Sequence, residues 1–188
     1  MVQLPEVCAE GSEAQKAGFA NICEIGKERI RRAGAKLKEE NPLLTQGLDI
    51  GFRVLKLDET NMEDVYYSAD ELTQEDLLGL ISNIKPDRTE LDLLFGCLID
   101  WGLELSQPYF SEQIDGVTVH TYDDTGEQPA LIACFSPDIP ESVIHEIGKR
   151  KPLRVLFRDS CFNSSQEKIN HFEILKQYGV EEKNIRVI

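Results

Sequence analysis

The sequence predicts an α/β fold: a leading amphipathic helix, then a mixed domain that ends in strand–helix repeats with a small parallel sheet. Three observations predict it. Apolar residues recur at spacings of three and four between residues 14 and 37. The last third alternates short apolar runs with helix-period segments, the pattern of parallel strands joined by helical crossovers. The 188 residues are 41% hydrophobic, enough for a sizeable core, yet no run approaches the ~18 apolar residues of a membrane-spanning helix.

Val2-Gln3-Leu4 is too short for a strand and reads as the end of one, stopped by Pro5-Glu6. A helix is expected from about Ala14 to Leu37, with Ile22, Ile25, Ile30, Ala33 and Leu37 on one face. Lys27, Arg29, Arg31, Arg32, Lys36 and Lys38 occupy the other, and Asn41-Pro42 ends this arm. Residues 1–45 are thus set apart from residues 46–188. Asp49 to Leu57 alternates through Ile50, Phe52 and Val54, which predicts a strand. Ser68 and Glu71 have capping-box spacing before a helix with Leu77, Leu78, Ile81 and Ile84 inward, broken at Pro86. Thr89 opens a further helix, with Leu93, Leu94, Leu98 and Trp101 inward and Gly102 as its stop.

Asp115-Gly116 is a two-residue hairpin turn, and Val117, Val119 and Thr121 continue its second strand. Ala130 to Phe135 is a short apolar strand. Asp138 reads as a helix N-cap with Pro140 at the helix start, and Val143, Ile144 and Ile147 face inward. Leu153 to Phe157 is the next strand. Ser164 and Glu167 cap a helix with Ile169, Phe172 and Leu175 inward and Gly179 at its close, before a final strand from Asn184 to Ile188.

Charge divides the chain further. The net charge is −14, and residues 46–145 alone hold 21 acidic against four basic residues. Such a surface repels phosphate backbones, so the isolated chain is expected to bind DNA weakly at best. The N-terminal residues lack the basic start and apolar middle of a signal peptide, so a cytoplasmic protein is expected. There the five scattered cysteines read as reduced, mostly buried thiols.

The familiar chemical signatures are missing. No two glycines have G-x-G spacing, and there is no Walker lysine, C-x-x-C, H-x-x-x-H or G-x-S-x-G. His120, His145 and His171 are far apart and read as structural. Asp138 with Glu181 and Lys183 superficially matches a P-D…E-x-K nuclease set, but Glu181 to Lys183 read as a loop. Arg158-Asp159-Ser160 follows a strand at the carboxyl edge of the expected sheet, where α/β sites form. A small independent hydrolase would rest on that edge alone.

Several blocks carry a resemblance. Val2 to Glu6, Ala17 to Phe19 and Ile22 to Ala33 resemble the modification subunits of type III restriction–modification systems. So do Gly51 to Asp58, Asn61-Met62, Val65 to Tyr67, Glu75 to Leu78, Leu98 to Gly102, Ala130 to Phe135 and Lys151 to Ser160. Such subunits are similar to the β class of adenine-N6 DNA methyltransferases, which use S-adenosylmethionine and act on a flipped base. The resemblance implies that this chain matches only their C-terminal part. No two of the eight prolines are adjacent, so the D-P-P-Y-like catalytic tetrapeptide is not here; nor is the F-x-G-x-G donor loop. Glu6 matches the acid that hydrogen-bonds the donor's ribose hydroxyls.

The resemblance therefore implies a terminal arm of the Rossmann-like methyltransferase domain (residues 1–45) and an accessory C-terminal α/β domain (46–188). No catalytic residue, metal or cofactor is expected for the chain alone; S-adenosylmethionine belongs to the intact enzyme. Its implied partners are the remainder of the modification subunit, a second such subunit or the restriction subunit, with DNA reached only through the intact complex. The alternative is a free-standing protein-interaction module derived from such a tail. Apolar surface left exposed on the first long helix favours the fragment.

Overall fold

The computed structural model describes residues 2–63, 83–124, 126 and 128–188. The helix expected from the Ser68–Glu71 capping box, with Leu77, Leu78 and Ile81, lies outside the described residues. The chain divides into two compact units, Met1–Lys56 and Leu57–Ile188.

The first unit holds two helices, α1 (Glu13–Lys16) and α2 (Ile22–Glu40), where the sequence predicted one. Gly18 takes φ +91°, a conformation a helix cannot contain, and Asn21 starts anew by accepting the Glu24 N–H on its side chain at 3.1 Å. Val2 to Leu4 form no strand; Val7 makes a single antiparallel bridge to Asn21. The strand expected over Asp49–Leu57 is also absent. Ile50 and Phe52 turn to the helix instead, and Val54 stays exposed. Ile50 packs on Gly34, the buried glycine of α2, where an added Cβ would stand 3.0 Å from the Ile50 Cβ. The Arg31 guanidinium lies 5.6 Å from the centre of the Phe52 ring. Alternation predicts a strand only where a second strand is there to pair with it.

The second unit is built on a five-stranded sheet in chain order. Its strands are β1 (Tyr109–Ile114), β2 (Val117–Tyr122), β3 (Leu131–Cys134), β4 (Val155–Phe157) and β5 (Ile185–Val187). The β1–β2 and β2–β3 pairs are antiparallel; β3–β4 and β4–β5 are parallel. Asp115 and Gly116 both have positive φ, as the expected two-residue turn requires.

The helices of this unit are α3 (Glu90–Asp100), α4 (Glu141–Lys149) and α5 (Ser165–Gln177). Crossovers through α4 and α5 cover one face of the sheet. Val143, Ile144, Ile147 and Leu175 bury Ile132, Cys134, Val155 and Phe157 there. The intervening residues Leu131, Ala133 and Leu156 point to the other face, against Leu93, Leu94, Cys97 and Leu98 of α3. Ile84 joins that second cluster and bridges to Met62. α3 starts on a complete capping box between Thr89 and Asp92 and stops at Gly102, with φ +65°. Trp101 is only partly buried, its ring faced by Arg154 at 5.9 Å and Arg186 at 5.5 Å.

Two local expectations are corrected. Pro140, not Asp138, is the N-cap of α4, and no side chain caps that helix. On α5 the inward stripe runs through His171, Phe172 and Leu175, so Ile169 falls to one side and is exposed.

Candidate functional site

The parallel part of the sheet directs the N-termini of α4 and α5 to its carboxyl edge. Between them lies a cavity of about 450 Å³, bounded by Asp138, Glu141, Asn163, Ser164, Glu167 and His171. Ser164 accepts the Glu167 N–H at 3.2 Å, and the Glu167 carboxylate accepts the Asn163 N–H at 2.7 Å, fixing the first turn of α5. Three carboxylates here oppose the positive ends of two helices, which makes the cavity a poor place for a phosphate.

His171 is 4% exposed, and its Nδ1 is buried without a partner. Burial pushes its pKa below the usual 6.5, with Glu167 and Glu141 opposing the shift. The sign follows from burial of the neutral form. The unfolded chain takes up the proton first, so His171 adds to stability above its unfolded pKa. That contribution is lost as pH falls from about 6.5 towards its lower folded value. His171→Gln should flatten the pH dependence of the urea midpoint between pH 7.5 and 5. An unchanged slope would show that His171 keeps its ordinary pKa.

The other residues singled out by sequence do not converge. Asp159 lies in a 3₁₀ turn, where its N–H donates to the Ile188 carbonyl at 2.8 Å and its carboxylate accepts from Lys168 at 2.7 Å. Glu181 and Lys183 pair with each other at 2.5 Å just before β5. That is the opposite edge of the parallel strands from Asp138, so no nuclease set forms. Among the described residues, no three His, Cys, Asp or Glu side chains cluster to hold a metal. Glu6 is exposed in the first unit, its carbonyl accepting the Ile22 N–H at 3.0 Å. Glu6 alone makes no site for a donor nucleoside.

The cysteines are all free thiols. Burial raises the pKa of Cys134 to about 11 and that of Cys161 to about 12, which leaves both unreactive. Cys8 and Cys23 are partly exposed.

One constellation escaped the sequence. His120, on β2, is 4% exposed. Its Nδ1 lies 2.7 Å from the Ser111 Oγ on β1, and its Nε2 lies 2.9 Å from a carboxylate oxygen of Glu90 on α3. The Ser111–His120 half follows from the hairpin register, since the two are cross-strand partners. Glu90, 30 positions before His120, carries no spacing signal.

No family model matches the chain, and no curated protein sequence matches it.

Among the described residues, no helix is long and apolar enough to cross a membrane. The fold is that of a mixed-sheet α/β unit, Leu57–Ile188, and a separate helical unit, Met1–Lys56.

Proposed function

We propose that the chain is the C-terminal part of a type III restriction–modification DNA methyltransferase and serves subunit assembly, with no methyl transfer of its own. In this reading residues 1–45 complete the catalytic domain of the intact subunit, and Glu6 takes the ribose hydroxyls of S-adenosylmethionine once the missing loops join it. The location is cytoplasmic.

One observation carries the reading. Part of the apolar face of α2 is uncovered: Ile22 and Ile30 are 41% exposed and Leu37 50%, while Ile25 is half-buried. Val2, Leu4 and Val7 are also bare in the preceding segment. Isolated exposed apolar residues are ordinary, but a stripe along one helix calls for a partner surface. The acidic charge of residues 46–145 supports an architectural role over direct DNA contact.

The reading is tested at two levels. Genomic DNA upstream of the Met1 codon should continue in frame through an F-x-G-x-G loop and a D-P-P-Y-like tetrapeptide; an in-frame stop with a ribosome-binding site would instead make the chain a free-standing interaction module. In solution, the 21.3 kDa chain should sediment as a larger species. The double variant I30E/L37E should return it to monomer without changing its circular dichroism. A strict monomer that binds neither subunit would remove the assembly role.

A further inference from the structure

We propose that Ser111, His120 and Glu90 form a hydrolytic relay that cleaves small uncharged carboxylic esters at the β1 edge of the sheet. The proposal is independent of the assembly reading, because it rests on the second unit alone.

A nucleophile, a base and a group that orients the base, each within hydrogen-bond reach, define the geometry of an activated serine. Here the contacts are 2.7 Å from Ser111 Oγ to His120 Nδ1 and 2.9 Å from His120 Nε2 to Glu90. Glu90 lies in the first turn of α3, at the positive end of that helix's dipole. An ionised carboxylate only accepts, so it selects the tautomer with hydrogen on Nε2. Nδ1 then presents its lone pair to the Ser111 hydroxyl. The imidazole is buried, its ring 6.0 Å from Phe135, while Ser111 is exposed to an incoming substrate.

Backbone geometry supplies the complementary donor. The two-residue turn makes Ile114–Val117 a hydrogen-bonded pair, and the alternation makes Ser111–His120 a non-hydrogen-bonded one. The Ser111 N–H therefore points away from β2. Among the described residues β1 is the outermost strand of its sheet, so that N–H faces an edge with no described strand beside it and can meet a carbonyl oxygen as it gains negative charge. The acidic composition of residues 46–145 disfavours anionic substrates, and uncharged acyl esters meet no such repulsion.

In the first step Ser111 Oγ bonds to the ester carbonyl carbon as Nδ1 takes the hydroxyl proton. The imidazolium returns that proton to the leaving alkoxide as the ester C–O bond breaks, giving an acyl-serine and an alcohol. Water then attacks the acyl carbon and gives a proton to Nδ1. The acyl–Oγ bond breaks, Oγ takes the proton back, and the carboxylic acid departs.

The test uses the full chain with an aryl fluorophosphonate, read by intact mass and peptide mapping, and with p-nitrophenyl acetate, read by absorbance. A single adduct on Ser111 is expected, together with ester hydrolysis that S111A abolishes. Ser111 is exposed, so S111A should keep the parent circular dichroism. Glu90→Gln frees the tautomer and should slow adduct formation at Ser111 by about tenfold or more, since positioned proton transfer contributes about 10²–10⁴. Adducts spread evenly over serines, or hydrolysis by S111A at the parent rate, would overturn the proposal and leave His120 a satisfied core residue.

Discussion

Phe157→Ala is expected to cost about 3–5 kcal/mol, the largest loss from any single side chain considered for this protein. Phe157 ends β4, is fully buried, and lies in the cluster between the sheet and the α4–α5 layer. Its ring meets Phe162 edge-on, with centroids 5.4 Å apart. β4 is flanked by β3 and β5 and covered on both faces, so the neighbours cannot collapse into the space left behind. The measurement is urea unfolding followed through the single tryptophan, Trp101. With a slope of ~2 kcal/mol/M, the midpoint should fall by about 1.5–2.5 M. Ile169→Ala is the control: Ile169 is exposed on α5, and its loss should stay within about 0.5 kcal/mol. Equal effects from the two substitutions would contradict the burial described above.

Gly148→Ala should destabilise by about 1–2 kcal/mol even though alanine favours a helix by about 1 kcal/mol over glycine. Gly148 is buried on α4, and a Cβ there would stand 2.3 Å from Cδ2 of Tyr178. The Tyr178 ring is not free to swing aside. It packs edge-on against His145 at 5.8 Å, and its hydroxyl lies 3.1 Å from His145 Nδ1. Overlap with a held ring outweighs the gain in helix propensity, and the sign of the effect decides between them. In a Tyr178→Ala background the clash disappears, so Gly148→Ala should become neutral or stabilising. A double-mutant cycle reads the coupling directly. If Gly148→Ala stabilised the parent chain, the close packing of α4 on Tyr178 would be refuted.

The sequence was most legible where local chemistry and tertiary pairing agree. Asp115-Gly116 announced both the hairpin and its register, and that register alone sets Ser111 opposite His120. Val143, Ile144 and Ile147 announced the inward face of α4. It was least legible where the deciding partner is remote. The alternation through Ile50, Phe52 and Val54 looks the same whether it meets a strand or a helix; here Ile50 met Gly34. The apolar period from Ala14 to Leu37 hid the break at Gly18, because a glycine with φ +91° is written like any other. Ile169 gave way to His171 on α5 because a three-residue spacing leaves two neighbouring faces open until the sheet selects one. Glu90 reaches His120 from a different element, and no local pattern encodes that.

The sheet's order, β1 to β5 in the order of the chain, also sets how the second unit is made. Every strand pairs with the one just before it, so no pairing waits for a distant segment. The β1–β2 hairpin closes over a two-residue turn, on the microsecond scale of such hairpins, whereas β3–β4 and β4–β5 close only across the α4 and α5 crossovers. Each later strand then adds to an edge that already exists, with α4 and α5 laid down between additions. A chain emerging from the ribosome could build this sheet in one direction, with β5 pairing only after the α5 crossover is in place.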